Sequence, residues 1–210
     1  MADAKICGIT TPEALDAAIE GGARFVGFVV YPKSPRFLTL DKLAALAARA
    51  RGRVETVLVT VNADDALIAS AAAAAQPDWI QLHGVETPKR VAEVRPFARR
   101  GAIKAAGIAS RADLETTRPY EPVTDMFLFD AQAPKDGLPG GNALAFDWTV
   151  MSGARIGRPW LLAGGLTPGN VKQAIAVSGA DLVDVSSGVE SAPGLKDPLL
   201  IAQFLAAAEV

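Results

Sequence analysis

The feature that most constrains the fold of this chain is a regular alternation between short apolar segments and alanine-rich amphipathic segments. Eight segments predict β-strands, and most of their residues are apolar, which is typical of parallel strands buried on both faces of a sheet. A predicted strand and the helix that follows it take roughly 25 residues, the size of a βα unit. The predicted strands are residues 5–9, 25–30, 55–61, 79–82, 102–106, 126–129, 160–163 and 182–185.

A helix is predicted after each of these strands. The first helix begins at Thr11-Pro12, a capping side chain followed by a proline in the first turn, and it ends before Gly21-Gly22. The predicted helices are residues 11–20, 40–50, 64–75, 88–99, 111–117, 146–152, 168–178 and 197–208.

Eight such units, with no linker and no change of composition between them, predict one closed (β/α)₈ (TIM) barrel, a single domain over residues 1–210. A doubly wound open sheet is the alternative. It would be expected to have fewer strands, and often a glycine-rich nucleotide-binding turn after the first strand. The first strand here ends in Cys7-Gly8-Ile9-Thr10, which is not such a turn.

Charge and composition exclude several classes of function. The net charge is −2 and the basic residues are scattered, so we expect no nucleic-acid partner. No apolar run approaches the ~18 residues of a membrane span, and the first residues lack the apolar stretch of a secretory signal. One cysteine cannot form an internal disulfide, so we expect a cytoplasmic protein in reducing surroundings.

Polar residues follow most of the predicted strands, at the end where a TIM barrel carries its active site. Because they come from seven different strands, they are expected to converge on one mouth of the barrel. They are Cys7, residues 33–36, Asn62, His83, Asp130, Gly164 with Gly165, and Asp184 with residues 186–188.

The loops after the last two strands predict a phosphate-binding site. Barrels frequently bind phosphate on these loops, because glycine lets backbone N–H groups approach an anion and serine adds hydroxyl donors. The residues concerned are Gly164, Gly165, Ser186, Ser187 and Gly188. The alternative is that these glycines only form tight turns.

Cys7 and Asp130 are candidates for acid–base chemistry. A free cysteine is among the residues most often buried as a small apolar group, so a catalytic role for Cys7 would require a cation or a helix N-terminus to lower its pKa. Lys5 shares the strand face of Cys7, one layer below it. Asp130 follows four apolar residues, where a carboxyl group is costly to bury unless it is paired or functional. The alternative is that Asp130 caps a helix or contacts a loop.

Arg36 and His83 are candidates for binding. Arg36 follows a loop stiffened by two prolines, which suits bidentate capture of a carboxylate, although it could also be a solvated surface arginine. His83, the single histidine, could be a ligand, a base or a satisfied polar group. One histidine and one cysteine from distant strands do not make a zinc site, so no metal is expected.

Taken together, these motifs resemble those of the phosphoribosylanthranilate isomerase family of tryptophan biosynthesis. The ordered set is specific, although each motif alone is weak. The matching stretches are KICGIT at residues 5–10, YPKSPR at 31–36, QLHG at 81–84, FDW at 146–148, GGLTPGNV at 164–171, VDVSSGVE at 183–190 and PGLKD at 193–197.

The resemblance implies an Amadori rearrangement of N-(5′-phosphoribosyl)anthranilate, a small sugar phosphate with an anthranilate group. It implies Cys7 as the general base, Asp130 as the general acid and Arg36 near the anthranilate carboxylate. His83 and Asp184 are expected to bind substrate, and the loops with Gly165 and Ser187 to bind phosphate. No metal or organic cofactor is expected, because the substrate's own nitrogen is the electron sink.

Three alternatives to this function remain at this stage. An indoleglycerol-phosphate synthase would share the last two loops but would differ at KICGIT and YPKSPR. An isomerase that also accepts the histidine-pathway analogue would be expected to have aspartate in place of Cys7. A barrel that keeps the phosphate pocket only for binding or assembly is the third, because fold does not determine function. The sequence leaves open whether the chain is a monomer or a homodimer.

Overall fold

The computed structural model describes residues 2–131 and 147–209, and it has eight parallel strands that close into a barrel in chain order. Closure is made by β1, which pairs with β2 on one side and with β8 on the other. The strands are β1 Asp3–Cys7, β2 Phe25–Val29, β3 Glu55–Thr60, β4 Trp79–Leu82, β5 Gly101–Ile108, β6 Met126–Ala131, β7 Trp160–Leu162 and β8 Leu182–Val185. The predicted (β/α)₈ barrel is thus confirmed.

In the described residues, six α-helices lie between strands of the barrel, and a seventh follows the last strand. Several begin at a threonine or aspartate whose side chain accepts a hydrogen bond from a backbone N–H of the first turn, which satisfies one of the donors left free there. They are α1 Pro12–Glu20, α2 Leu40–Ala50, α3 Asp65–Ala75, α4 Pro88–Val94, α5 Arg111–Glu115, α6 Val171–Ser178 and α7 Pro198–Ala208.

Prolines account for two helices that are shorter than predicted. The predicted helix 88–99 ends as an α-helix at Val94 and continues as a 3₁₀ turn, Arg95–Phe97. The predicted helix 111–117 ends at Glu115 and is followed by the 3₁₀ turn Arg118–Tyr120. Each turn contains a proline, which has no N–H with which to continue an α-helix.

Several strand ends lie one or two residues from their predicted positions, and three further elements show larger differences. Part of the predicted helix 146–152 lies outside the described residues, and the described part forms a 3₁₀ turn, Trp148–Met151. The seventh predicted helix begins at Val171 rather than at residue 168. A short antiparallel hairpin, β9 (Glu190–Ala192) and β10 (Leu195–Lys196), follows β8 and was not predicted.

The alternation of side chains along each strand divides the core into two parts. Outward residues such as Phe28 and Phe127 pack against the helices, whereas inward residues such as Phe25 and Leu128 fill the barrel. The same alternation directs Cys7 into the barrel at the carboxyl end of its strand. No helix within the described residues is both long and apolar enough to cross a membrane.

Candidate active site

Cys7 lies at the end of β1 and is almost fully buried. Gly27 on the neighbouring β2 leaves room for it, since a Cβ at position 27 would stand 2.9 Å from Cys7 Sγ. Burial raises the pKa of the thiol above its ordinary value, and the ammonium of Lys5 opposes this rise. The single cysteine is therefore a buried thiol with a cation close by.

Lys5 and Asp184 form a buried ion pair in the barrel interior, near this thiol. Lys5 Nζ donates to Asp184 Oδ1 over 2.7 Å, and the Lys5 side chain has no solvent exposure. Burial acts to lower the pKa of Lys5, but the Asp184 carboxylate outweighs it, and the pKa is raised. Lys5 therefore stays charged. The sequence analysis predicted that Asp184 binds substrate, and in the structure its carboxylate contacts Lys5.

Asp130 lies near the end of β6, where it is largely buried and faces His83. Oδ1 of Asp130 accepts a hydrogen bond from Ala131 N at 2.8 Å, and Oδ2 stands 3.6 Å from His83 Nε2. On the other side of the imidazole, Gln81 Nε2 lies 2.8 Å from His83 Nδ1. When the Gln81 amide donates to Nδ1, the neutral imidazole carries its proton on Nε2, toward Asp130.

The loops after β7 and β8 meet closely at Gly188. A side chain at this position would overlap the carbonyl oxygen of Leu166, so glycine is required for the approach. Within the described residues, the backbone N–H groups of Gly165, Ser187 and Gly188 donate to no acceptor. Free N–H groups of this kind, at the start of the 3₁₀ turn Ser187–Val189, are what a phosphate requires.

Two contacts connect these loops to Cys7, the candidate base, and to Asp130, the candidate acid. Ser186 Oγ donates to the carbonyl oxygen of Cys7 over 3.1 Å, which joins the loop after β8 to the end of β1. A Cβ at Gly164 would stand 3.0 Å from Asp130 Oδ1, so the loop after β7 lies against the candidate acid. The structure therefore gathers the candidate phosphate loops, Cys7 and Asp130 at one end of the barrel.

Arg36 lies over Gly8 and is engaged by a carboxylate. Its side chain occupies the space that a Cβ at Gly8 would need. Arg36 Nε and Nη2 donate to the two oxygens of Glu190 at 2.7 Å and 2.9 Å. Arg36 is buried, so the interpretation as a solvated surface arginine is wrong.

Four polar residues around the site were missed by sequence reasoning. Lys196 on β10 donates to Glu190, and Lys104 on β5 pairs with Glu86 in the loop after β4. Glu190 and Lys196 both lie in motifs quoted above, and their opposite charges could have indicated that they pair. Lys104 stands in an apolar strand, where a buried lysine nearly always has a partner.

Within residues 2–131 and 147–209, no group of three or more histidine, cysteine, aspartate or glutamate side chains is arranged to hold a metal ion. The chemistry that the described site offers is that of a thiol, a carboxyl group and an imidazole, with cations and free N–H groups around them.

A family model described as N-(5′-phosphoribosyl)anthranilate (PRA) isomerase matches residues 4–207. The N-(5′-phosphoribosyl)anthranilate isomerase of Paracoccus denitrificans is 53% identical over 205 residues, 97% of this chain and 95% of that protein. The enzyme of the same name from Azorhizobium caulinodans is 52% identical over 206 residues, 98% of this chain and 90% of that protein.

Solved structures give the same match. The crystal structure of phosphoribosyl anthranilate isomerase from Thermotoga maritima is 36% identical with a TM-score of 0.88, covering 100% of this chain and 99% of that one. A phosphoribosyl anthranilate isomerase in complex with reduced 1-(o-carboxyphenylamino)-1-deoxyribulose 5-phosphate is 34% identical with a TM-score of 0.86, covering 100% and 99%.

Proposed function

The chain belongs to the N-(5′-phosphoribosyl)anthranilate isomerase family, and from this premise we propose that Cys7 is the general base and Asp130 the general acid of its reaction. The chain is accordingly an isomerase of tryptophan biosynthesis, and its substrate class is a small sugar phosphate. The observation that carries the proposed mechanism is that both groups lie against the candidate phosphate loops, at the carboxyl ends of β1 and β6.

Two ends of the substrate are proposed to be held before any bond breaks. The phosphate would accept hydrogen bonds from the backbone N–H groups of Gly165, Ser187 and Gly188, which have no acceptor in the described part of the chain. The anthranilate carboxylate would bind the buried guanidinium of Arg36, whose planar donors fit a carboxylate. Held at both ends, the ribose would lie across the barrel mouth, between the acid and the base.

In the first proposed step, the carboxyl group of Asp130 donates its proton to the ribose ring oxygen. The bond between C1′ and this oxygen breaks, its electron pair stays on the oxygen as a hydroxyl group, and the lone pair of the anthranilate nitrogen forms the C1′=N double bond. His83, with Nε2 3.6 Å from Asp130 Oδ2, would hold the carboxyl group in place and stabilise the carboxylate that this step leaves.

In the second step, the Cys7 thiolate removes the proton from C2′. The electrons of the C2′–H bond form a C1′=C2′ double bond, and the iminium nitrogen takes back its lone pair. The enol that results becomes the ketone when C1′ takes up a proton from solvent and the hydroxyl group on C2′ releases its proton to solvent, so that the C2′=O double bond forms. Burial raises the pKa of the Cys7 thiol, and the cation of Lys5 opposes this rise and favours the thiolate that the step requires. A working thiol without a disulfide partner suits a reducing compartment, and we place the reaction in the cytoplasm.

The experiment that tests this function follows the loss of anthranilate fluorescence as freshly made phosphoribosylanthranilate is consumed, in the presence of EDTA. Cys7→Ala and Asp130→Asn should each lower kcat by ~10²-fold or more while ligand binding stays largely intact, because acid–base groups contribute 10²–10⁴-fold. Asp181→Asn is the matched control, since Asp181 is exposed and lies just before β8, at the opposite end of the barrel. A variant with near-normal kcat would remove its residue from the mechanism.

A further inference from the structure

The hairpin formed by β9 and β10 packs against the loop that carries Arg36. Thr10 Oγ1 donates to the carbonyl oxygen of Gly194 over 3.0 Å, and a Cβ at Gly194 would collide with the carbonyl oxygen of Pro35. The hairpin and this loop also hold three charged side chains that contact one another, Arg36, Glu190 and Lys196, which we call the Arg36 cluster. All three side chains are at most 10% exposed to solvent.

Glu190 is saturated with hydrogen bonds inside the Arg36 cluster. Its Oε1 accepts from Arg36 Nε at 2.7 Å and from Lys196 Nζ at 2.5 Å. Its Oε2 accepts from Arg36 Nη2 at 2.9 Å and from Gly194 N at 3.2 Å. Burial raises the pKa of Glu190, but the donors from Arg36 and Lys196 outweigh it and the pKa is lowered, so Glu190 is a carboxylate.

This arrangement would cancel the charge of Arg36 if Glu190 and Arg36 were alone. One cation and one anion give a net charge of 0, and a buried neutral pair attracts a second carboxylate only weakly. Burial lowers the pKa of Lys196, whereas the Glu190 carboxylate beside it favours the ammonium form. As the ammonium, Lys196 adds a second cation, so the cluster of two cations and one anion has a net charge of +1. Lys196 itself is fixed by Ser186, whose carbonyl oxygen accepts from Nζ at 3.1 Å.

The geometry also selects which edge of Arg36 is available. Glu190 occupies Nε and one N–H of Nη2, and no other acceptor within the described residues contacts the guanidinium. The outer edge, made of Nη1 and the second N–H of Nη2, therefore remains for a ligand carboxylate.

We propose that Lys196 is a specificity-determining residue, which acts through Arg36 by giving the cluster the net positive charge that an aryl carboxylate requires. Glu190 is its positioning partner and aims the outer edge of the guanidinium. This inference rests on the proposed function, in which Arg36 binds the anthranilate carboxylate. Lys196 contacts Glu190 and Ser186 and is assigned no contact with the reacting atoms.

The test compares two ligands by calorimetry. The first is reduced 1-(o-carboxyphenylamino)-1-deoxyribulose 5-phosphate, and the second is the same compound with a phenyl group in place of the carboxyphenyl group. Lys196→Met should weaken binding of the carboxylated ligand by about tenfold or more, as expected for loss of a buried charge beside a ligand site, and should change binding of the second by less than about twofold. Lys89→Met, at an 87% exposed lysine on α4, is the control for overall charge.

A double variant separates charge from structure. Lys196→Met combined with Glu190→Gln restores a net charge of +1, carried by Arg36 alone, so it should regain most of the preference for the carboxylated ligand. Lys196→Arg keeps the positive charge, so it should prefer the carboxylated ligand as strongly as the unchanged protein does. If Lys196→Met does not fold, Glu190→Gln alone carries the test. The glutamine amide oxygen still accepts from Arg36 and keeps the guanidinium in place, and the cluster then has a net charge of +2, so the preference must at least equal that of the unchanged protein.

Four results would overturn the inference. Equal weakening of both ligands in Lys196→Met would mean that the hairpin is only structural. Failure of the double variant to regain preference, or a reduced preference in Glu190→Gln, would contradict the charge account. If the unchanged protein itself does not distinguish the two ligands, the assignment of Arg36 in the proposed function fails, and this inference with it.

Discussion

Two buried charges influence the thiol of Cys7: the positive charge of Lys5 and the negative charge of Asp184. Burial has the largest effect and raises the pKa of the Cys7 thiol; the ammonium of Lys5 opposes this rise, and the carboxylate of Asp184 adds to it. Because the role proposed for Cys7 requires the deprotonated thiol, we expect kcat/KM to increase with pH as Cys7 becomes a thiolate.

Asp184→Asn should move this increase to lower pH. The asparagine removes the negative charge that raises the pKa of Cys7, while its amide oxygen can still accept from Lys5, so the pKa of the thiol falls. The ultraviolet absorbance of the thiolate, followed against pH, measures this directly, because Cys7 is the single cysteine. Asp181→Asn is the control, and an unchanged or higher titration midpoint in Asp184→Asn would contradict the electrostatic account.

For single residues, the sequence predicts where a side chain points when the alternation of side chains along a strand determines it. The strand face shared by Lys5 and Cys7 follows from alternation, and the structure has them together. The pairing of Arg36 with Glu190 joins residues 154 positions apart, so no local pattern indicates it. Because Arg36 is buried against a hairpin that was itself not predicted, its surroundings could not be read from the chain.

At the scale of elements, β5 supplies a support that the sequence analysis did not consider. Lys104 Nζ donates to the carbonyl oxygens of Leu82 and Gly84 and to Glu86 Oε2, at 3.2, 2.7 and 3.0 Å. Glu86 in turn accepts from the backbone N–H groups of Asn62 and Gly84. This network fixes the loop after β4, which carries His83.

Lys104→Met should therefore destabilise the protein and displace His83. Removing one partner of a buried pair leaves the other charge uncompensated, which typically costs about 3–5 kcal/mol. Urea unfolding measures the loss in stability, and kcat measures the displacement. Adding Glu86→Gln should recover part of the stability, since the buried charge is then gone. A loss below ~0.5 kcal/mol would mean that the network does not hold the loop.

The contact between the loops after β7 and β8 gives a second prediction at this scale. Gly188→Ala places a methyl group where Leu166 O lies, so one loop must move and the candidate phosphate site is distorted. We expect KM to increase by about tenfold or more, since small displacements of binding groups are costly. Gly169→Ala is a matched control in the loop after β7, because a Cβ there meets nothing closer than 3.8 Å. Equal KM values for the two variants would contradict the assignment.

Most strands and helices could be predicted from the sequence, because apolar runs and capping residues are local signals. The strand Trp79–Leu82 agrees with its prediction at both ends, as does the helix Leu40–Ala50. The helix Val171–Ser178 begins late because Asn170 folds back, with Oδ1 accepting from Thr167 N. The hairpin after β8 was missed because its strands are only three and two residues long, too short for a periodic pattern.

At the scale of the whole molecule, the two ends of the chain depend on each other. β1 closes the barrel by pairing with β8, from Asp3 opposite Leu182 to Ile6 opposite Val185. Beside this seam, Ala2 N donates to the carbonyl oxygen of Ala208 on α7 over 3.1 Å. If half of the barrel unfolded, the edge strands of the other half would lose their partners, and exposed edges of this kind are costly.

We therefore propose that residues 1–210 are a single domain that unfolds in one transition, although chains of this size often have folding intermediates.

The three tryptophans report on both halves of the barrel, the first containing β1–β4 and the second β5–β8. Trp79 lies on β4, whereas Trp148 and Trp160 belong to the second half. Trp79→Phe leaves only the reporters of the second half, and Trp148→Phe with Trp160→Phe leaves only that of the first. Within each variant, tryptophan fluorescence and far-ultraviolet circular dichroism should give the same urea midpoint, because closure couples the two halves. A fluorescence midpoint that differs from the dichroism midpoint of the same variant would mean that the halves unfold separately, and the chain would then be two cooperative units joined within one barrel.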